Sequence, residues 1–375
     1  MVKLKKGKIF VFKKMDELTF LFSELLGLEF PYSLGDIDKD YVDSQISRIT
    51  FNINIDPNYR PSKHHNIHSY YEKTWQHLSL FQYPCYLKAR LPVFMDKRTG
   101  KTEVIQVPWA RKGSGFTLLF EQVILELLRL CNCKKTTAEF FGLYPQRVQT
   151  VYDAYTKDAY EQREAETAKK VGVDETSTKK GHDYITLFVN LENGQILDIQ
   201  DGKSSEAVKK YSEELHILGK APQTVEEFSL DMSPAFTSGV KQYFSTARMT
   251  YDRFHVVQLV NRYFKPLWKS DKTDKPLLDY HLKEFDQLWI QSNCTDAAAF
   301  LSYWLDRTKE LYSMDRFCKS INKHFNGIIN FVESKITNGL LEGMNNKIQF
   351  IKRAARGYRY KENFKRMILF AFGAL

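Results

Sequence analysis

The sequence predicts an α/β domain interrupted by a block of helices and preceded by a β-rich module and a short helical pair. Three observations predict it. Residues 170–251 read as three strands, then helix, strand, helix and strand. Residues 256–333 are helical by spacing almost throughout, and residues 47–110 contain alternating β-type runs broken by Pro and Gly. With 375 residues and 43% hydrophobic content, the chain can hold two or three domains with real cores.

Residues 1–62 form a mixed segment. Met15–Leu26 has helical spacing, SRITFNINID (Ser47–Asp56) alternates as a strand does, and Pro57 to Lys63 break the pattern. Residues 63–115 are expected to be β-rich, because YLKARLPVF and TEVIQVPWA flank the turn signal Asp96–Gly100 and so predict a hairpin closed by Pro108 and Trp109.

Residues 116–168 hold the clearest local motif. Phe116–Leu130 is helical by spacing and leads into KTTAEFFGLYPQRVQTVYDAY, which reads as a helix-turn-helix. Thr136–Phe141 is the first helix, with small Ala138 permitting close packing. Gly142 supplies a left-handed turn, and Pro145 suits the first position of the second helix. Gln146, Arg147, Gln149 and Thr150 are then the donors offered to a DNA groove. An ordinary helical hairpin is the alternative, and Tyr144 is a poor N-cap. Asp153–Lys170 is charged, has few large apolar residues, and reads as an exposed helix or linker.

The α/β domain starts at 169, and its first part runs to 255. A strand over Lys170–Val173 ends at Asp174. YITLFVNLENGQILDIQDG gives two strands about a tight turn at Glu192–Gly194. A helix follows at Ser204–His216, a strand at Val225–Leu230 ending at Asp231, a helix at Pro234–Phe244, and a short strand at Ala247–Tyr251. Three antiparallel strands followed by alternating helix and strand is the ribonuclease H-like order, with Asp174 and Asp231 on adjacent central strands. Residues 256–333 are a helical insertion, and residues 334–375 supply the final helix, which carries Glu342, and a basic tail.

The chemistry rests on Asp174, Asp231 and Glu342. Any one acid among 45 Asp and Glu is ordinarily a cap, a turn residue or a surface charge, but two at strand ends and one on a helix are set to converge. Carboxylates about 4 Å apart repel by about 4 kcal/mol per pair at an effective dielectric near 20, so convergence calls for a cation. Hard oxygen ligands with no imidazole or thiolate nearby favour magnesium or manganese. Two such ions roughly 3.5–4 Å apart would activate a water or hydroxyl and stabilise the leaving oxygen of a phosphodiester. Asp252 and His255 lie just beyond the strand ending at Tyr251. They are expected beside the carboxylates or on the DNA, against the alternative of a hydrogen-bonded structural pair.

Charge and cysteine usage narrow the setting. A net charge of +10 and a pI near 9.1 suit a polyanionic partner. From Gly339 to Leu375 eight Lys or Arg stand against two Glu, and Lys347, Lys352, Arg353, Arg356 and Arg359 are the expected phosphate contacts, so binding should weaken steeply with salt. The 27 Phe and 21 Tyr are spread along the whole chain and read as core, with no stacking platform among them. The odd, scattered set Cys85, Cys131, Cys133, Cys294 and Cys318 argues against a disulfide framework and fits a reducing cytoplasm. Cys131 and Cys133 would point to different helix faces and share no metal. Lysines interrupt the apolar residues of MVKLKKGKIFVFKK, and no stretch nears the ~20 apolar residues of a membrane span, so a soluble, intracellular protein with no membrane partner is expected.

Several motifs together resemble a known family: WQHLSL (75–80), VPWA (107–110), VGVDETSTKKGHDY (171–184), LDMSPAF (230–236), YDRFHVVQLVN (251–261) and LEGMNNKIQFIKRAARGYR (341–359). In this order they resemble bacterial insertion-sequence transposases of the ISL3 family. The resemblance implies a D-D-E catalytic triad, which falls on Asp174, Asp231 and Glu342 and holds two magnesium or manganese ions. It implies a homodimer that binds the terminal inverted repeats as double-stranded DNA, cuts there, and directs 3′-hydroxyls onto target DNA, in a cytoplasmic, nucleoid-associated bacterial setting. One departure is plain. Family members usually carry paired cysteines of a zinc module around the WQHL-like motif, and these are missing here. A zinc-free remnant of that module is therefore expected at 63–115, with His64, His65, His68 and His77 read as solvated or core histidines. The alternatives are a domesticated, non-catalytic DNA-binding regulator and a structure-specific nuclease of the same fold.

Overall fold

The computed structural model describes residues 17–179, 183–270, 274–336 and 339–375. Met15 and Asp16 of the expected first helix, and Lys180 to His182 of the VGVDETSTKKGHDY motif, lie outside the described residues. The chain divides into two compact units, residues 1–128 and 129–375.

In the first unit, α1 (Glu17–Leu25) precedes a five-stranded sheet: β1 (Tyr32–Val42), β2 (Gln45–Ile55), β3 (His65–Leu80), β4 (Tyr83–Asp96) and β5 (Thr102–Val104). The order is β1-β2-β4-β3, with β5 on β4. The expected strand at Ser47–Asp56 is β2, and the expected hairpin is β4–β5, although β5 stops at Val104. Strands from both sides of residue 62 share the sheet, because β2 pairs in parallel with β4.

Two strands carry weak sequence signals. β1 is interrupted by Gly35 and several Asp, and β3 lies at the sheet edge with Trp75 its one fully buried residue. An edge strand solvated on both faces has no reason to alternate cleanly. The core under this sheet gathers Ile49, Phe51, Ile53, Trp75, Leu87 and Trp109. Three of this unit's histidines have side-chain partners: His65 faces Glu103 at 3.3 Å, His68 bonds Ser69, and His77 bonds Thr117 at 2.9 Å. Helix α2 spans Leu118–Cys131.

The second unit opens with α3 (Lys134–Phe140) and α4 (Pro145–Glu161), joined through Gly142 at φ +62°, with Pro145 starting α4. Asp153 does not begin a separate exposed segment as expected. It lies within α4, whose buried residues Tyr152 and Thr156 extend the packed face. Beyond α4 the chain is strapped down, since the Arg163 guanidinium donates to the carbonyls of Ile196 and Leu197 at 2.8 Å each and Tyr211 donates to the Glu166 carbonyl at 2.6 Å.

Next come β6 (Lys170–Ser177), β7 (Tyr184–Asn190), β8 (Ile196–Asp201), α5 (Ser205–Ile217), β9 (Glu227–Leu230), α6 (Pro234–Tyr243) and β10 (Arg248–Tyr251). The sheet order is β10-β9-β6-β7-β8. β6, β7 and β8 are antiparallel because short turns join them. β9 and β10 run parallel to β6 because helices carry the chain back each time. β6 does not end before Asp174. It continues to Ser177 because those residues pair with Tyr184–Leu187 of β7.

Helices then dominate: α7 (Arg253–Trp268), α8 (Lys275–Phe285), a 3-10 turn (Asp286–Ile290), α9 (Cys294–Tyr312), α10 (Asp315–Lys323) and α11 (Phe325–Ser334), followed by α12 (Gly339–Ala354) and α13 (Lys361–Ala371). One core runs from Val171, Phe188 and Phe228 of the sheet to Phe264, Trp304 and Phe317 of the helices. α4 rests on α13, where Arg366 donates to Asp153 at 2.5 Å, Tyr160 donates to Glu362, and the Tyr152 and Phe370 rings meet edge-on at 5.2 Å. All five cysteines are free, and no helix among the described residues is long and apolar enough to cross a membrane.

Candidate active site

Strand and helix periods meet along β6. Every second strand residue lies on one face, about 6.6 Å apart, and every fourth residue of a helix rises about 6 Å along one face. The two repeats therefore keep step over several contacts. Leu341 meets Gly172, Asn345 donates to Asp174 Oδ2 at 2.6 Å, and Gln349 donates to Thr176 at 2.7 Å. Lys352 closes the ladder on the Ser177 carbonyl and hydroxyl at 2.8 and 2.9 Å. Gly172 is needed for this approach, since a Cβ there would lie 2.8 Å from Leu341 Cδ1.

Asp174 is thereby held on both oxygens, Oδ1 accepting from the Glu175 amide at 2.7 Å. Its pKa is pushed up to about 6, by burial first and by the charge of Asp231 as well, while the Glu175 amide and His255 oppose the rise. Asp231 is the first residue past β9, and its Oδ1 accepts from the Ser233 amide at 2.9 Å, forming the turn that starts α6 at Pro234. The registered pair Gly172–Ser229, continued by two residues, brings Asp231 level with Asp174 on the neighbouring parallel strand. Glu342 is exposed in the first turn of α12, where the helix dipole favours a carboxylate.

A cavity of about 540 Å³ is lined by Asp174, Glu342 and Asn345 together with Asp252, Phe254 and His255. Asp252 is buried and caps α7, accepting from the Phe254 amide at 3.2 Å, which sets His255 one turn into the helix. α7 starts at the cavity and brings His255 into the lining that holds Asp174 and Glu342. Asp231 reaches the cavity electrostatically through Asp174 and is absent from its lining. Among the described residues no three of His, Cys, Asp and Glu stand close enough to hold a metal ion together. The donor chemistry nevertheless suits a hard cation. Asp174 and Asp231 bring carboxylate oxygens to adjacent strands with no Lys or Arg paired to either among the described residues, and burial of Asp174 against Asp231 leaves negative charge uncompensated.

Of the expected DNA contacts, Gln146, Arg147 and Thr150 are exposed on the first turns of α4, while the Gln149 amide donates to Asp153 at 2.7 Å. Lys352, Arg353, Arg356 and Arg359 line a second groove, of about 790 Å³, with Ser177 and Lys179 and without a carboxylate. Lys347 is a correction. Five residues past Glu342 it turns toward α13, donates to the Ala371 carbonyl at 2.7 Å and lies over the Phe372 ring. Two residues escaped the sequence reading: Asn345, whose signal was its place one turn after Glu342, and Lys179, near the end of the β6 motif.

A family model described as "Transposase", the DDE family of ISL3 elements, matches residues 171–276 and 268–368, and one described as "Helix-turn-helix domain of transposase family ISL3" matches residues 105–156. The chain is 23% identical over 340 residues to the transposase for insertion sequence element IS1001 of Bordetella parapertussis, covering 79% of this chain and 83% of that protein. It is 23% identical over 186 residues to the transposase for insertion sequence element IS1557 of Mycobacterium tuberculosis, covering 49% of this chain and 41% of that protein. Among solved structures, a simian T-cell lymphotropic virus intasome in complex with PP2A regulatory subunit B56 gamma aligns over 41% of this chain and 62% of its own, at 15% identity and a TM-score of 0.19.

Proposed function

The chain belongs to the ISL3 family of insertion-sequence transposases, and from that premise we propose that it cuts and joins DNA at the ends of a mobile element through Asp174, Asp231 and Glu342. The observation that carries this reading is the ladder of α12 on β6, which sets Glu342 and Asp174 at one cavity while the neighbouring strand brings Asp231 level. We read the mixed five-stranded sheet as ribonuclease H-like, with a catalytic domain split into 169–255 and 334–375 around a helical insertion at 256–333. Residues 116–168 form the helix-turn-helix region, and 1–62 and 63–115 precede it.

Asp174, Asp231 and Glu342 would hold divalent magnesium or manganese, two ions in this reading, which when bound supplies charge neutralisation and a more acidic attacking water. The chain's own residues do the positioning. Asn345 fixes one Asp174 oxygen and leaves the carboxylate a single orientation. Asp252, by capping α7, holds His255 in the cavity lining, where its ring can meet a DNA oxygen. Lys352, Arg353, Arg356 and Arg359 neutralise backbone phosphates beside the cavity, and Gln146, Arg147 and Thr150 read the element end. Joining two ends to target DNA calls for a homodimer.

The test compares wild type with Asp231→Ala on element-end duplex in magnesium. Equal cleavage by both would sink the assignment. One observation favours a second reading, a DNA-binding regulator that does not cut: the three carboxylates are not assembled into a metal cluster. End binding without strand cutting in either magnesium or manganese would establish it.

A further inference from the structure

The first unit holds a cavity of about 830 Å³ that the chemistry above does not use. Tyr71, Lys73 and Trp75 alternate along β3 and so share one face of this edge strand, and all three line the cavity. Tyr59 and Phe94 are also in its lining and pack edge-on at 6.3 Å. The aromatic rings are therefore not all core, as their even spread along the sequence suggested. Tyr71 is half exposed.

The cations of this cavity are unevenly committed. Arg111 is taken by Glu121 at 2.9 Å, and Glu103, the acid in the lining, faces His65. Lys73 and Lys112 have no carboxylate partner among the described residues. Lys73 is half-buried with its ammonium 5.2 Å from the Trp75 ring, and burial lowers its pKa. The buried indole N–H of Trp75 has no hydrogen-bond partner among the described residues.

Rings beside uncompensated amines, in a cavity too small for a duplex, suit an unpaired nucleotide: the base stacks on an aromatic face and the phosphate meets an amine. Duplex DNA keeps its bases stacked inside and presents none. We propose that the first unit binds single-stranded DNA, seating an unpaired base against Tyr71 and Tyr59 and its phosphate at Lys73 and Lys112. The inference rests on the transposase reading only for the source of the strand, DNA opened near a cut end.

The experiment uses the full chain and fluorescence anisotropy with a labelled oligothymidine and a labelled duplex of equal length. Tyr71→Ala and Lys73→Ala should each weaken single-strand binding roughly five- to hundredfold, as loss of a stacked base or its phosphate contact does. Tyr71→Phe should retain binding, and all three should leave duplex binding unchanged. Because Tyr71 is half exposed, its variants keep the fold. Single-strand binding equal in wild type and Tyr71→Ala, or parallel loss on the duplex, would overturn the proposal, as would displacement of the strand by an equal concentration of thymidine monophosphate. Asp231→Ala leaves this cavity intact, so failure of the catalytic reading shows in cleavage alone and failure of this one in strand binding alone.

Discussion

Asn345 shows how a single side chain turns a strand carboxylate into a positioned one. Its amide is the group from α12 that holds Asp174 Oδ2. Hydrogen bonds to charged groups contribute about 1.5–3 kcal/mol, so Asn345→Ala should lower the end-cleavage rate on the order of ten- to hundredfold with little change in thermal midpoint. Cleavage kinetics on end duplex check this. Away from the site, Asp198 on β8 is buried, and its carboxyl is pushed up to about 6 by burial first and then by Glu214, against the Gln200 amide and Arg163. A carboxyl raised above its unfolded value of about 4 contributes stability at low pH that is lost as pH rises through the folded value. Asp198→Asn removes that loss. Between pH 4 and pH 7 the wild-type thermal midpoint should therefore fall relative to the variant's, and parallel curves would refute the assignment.

At the scale of elements, much of the second unit was legible because its signals are local. Pro145 after Gly142 marks the helix-turn-helix, and the turn near Gly194 marks the β7–β8 hairpin. Pro234 marks the start of α6. β1 and β3 were not legible, since an edge strand needs no buried face to be stable once a neighbour pairs with it. Contacts between elements set the tighter limits. α11 lies on β10 so closely that a Cβ at Gly327 would stand 2.4 Å from the buried Tyr251 ring. A ring in a packed core cannot retreat cheaply, so Gly327→Ala should cost about 1–3 kcal/mol, read by denaturant unfolding. Tyr251 precedes Asp252, so the same change should also disturb the wall that carries His255.

For the whole molecule, the second unit joins the helix-turn-helix to the catalytic sheet through α13 rather than through a free linker. In the proposed function, the helices α3 and α4 and the three carboxylates fall within one compact unit, residues 129–375. DNA binding should respond to salt through the groove of Lys352, Arg353, Arg356 and Arg359. Replacing Arg356 and Arg359 by Ala, one at a time, should each reduce the slope of log affinity against log salt by about 1 on duplex DNA. Lys347→Ala should leave that slope unchanged, because its ammonium is spent on Ala371.

The sequence alone determined the order of strands and helices from 170 to 251 and the transposase family, because each rests on residue type, spacing and turn chemistry within a few tens of residues. Only the tertiary structure decided the partners. Asn345 meets Asp174 across 171 positions and Gln349 meets Thr176 across 173. Such contacts depend on strand and helix periods staying in step after folding. No local pattern carries that match, nor the way an edge strand places Tyr71, Lys73 and Trp75 around one cavity.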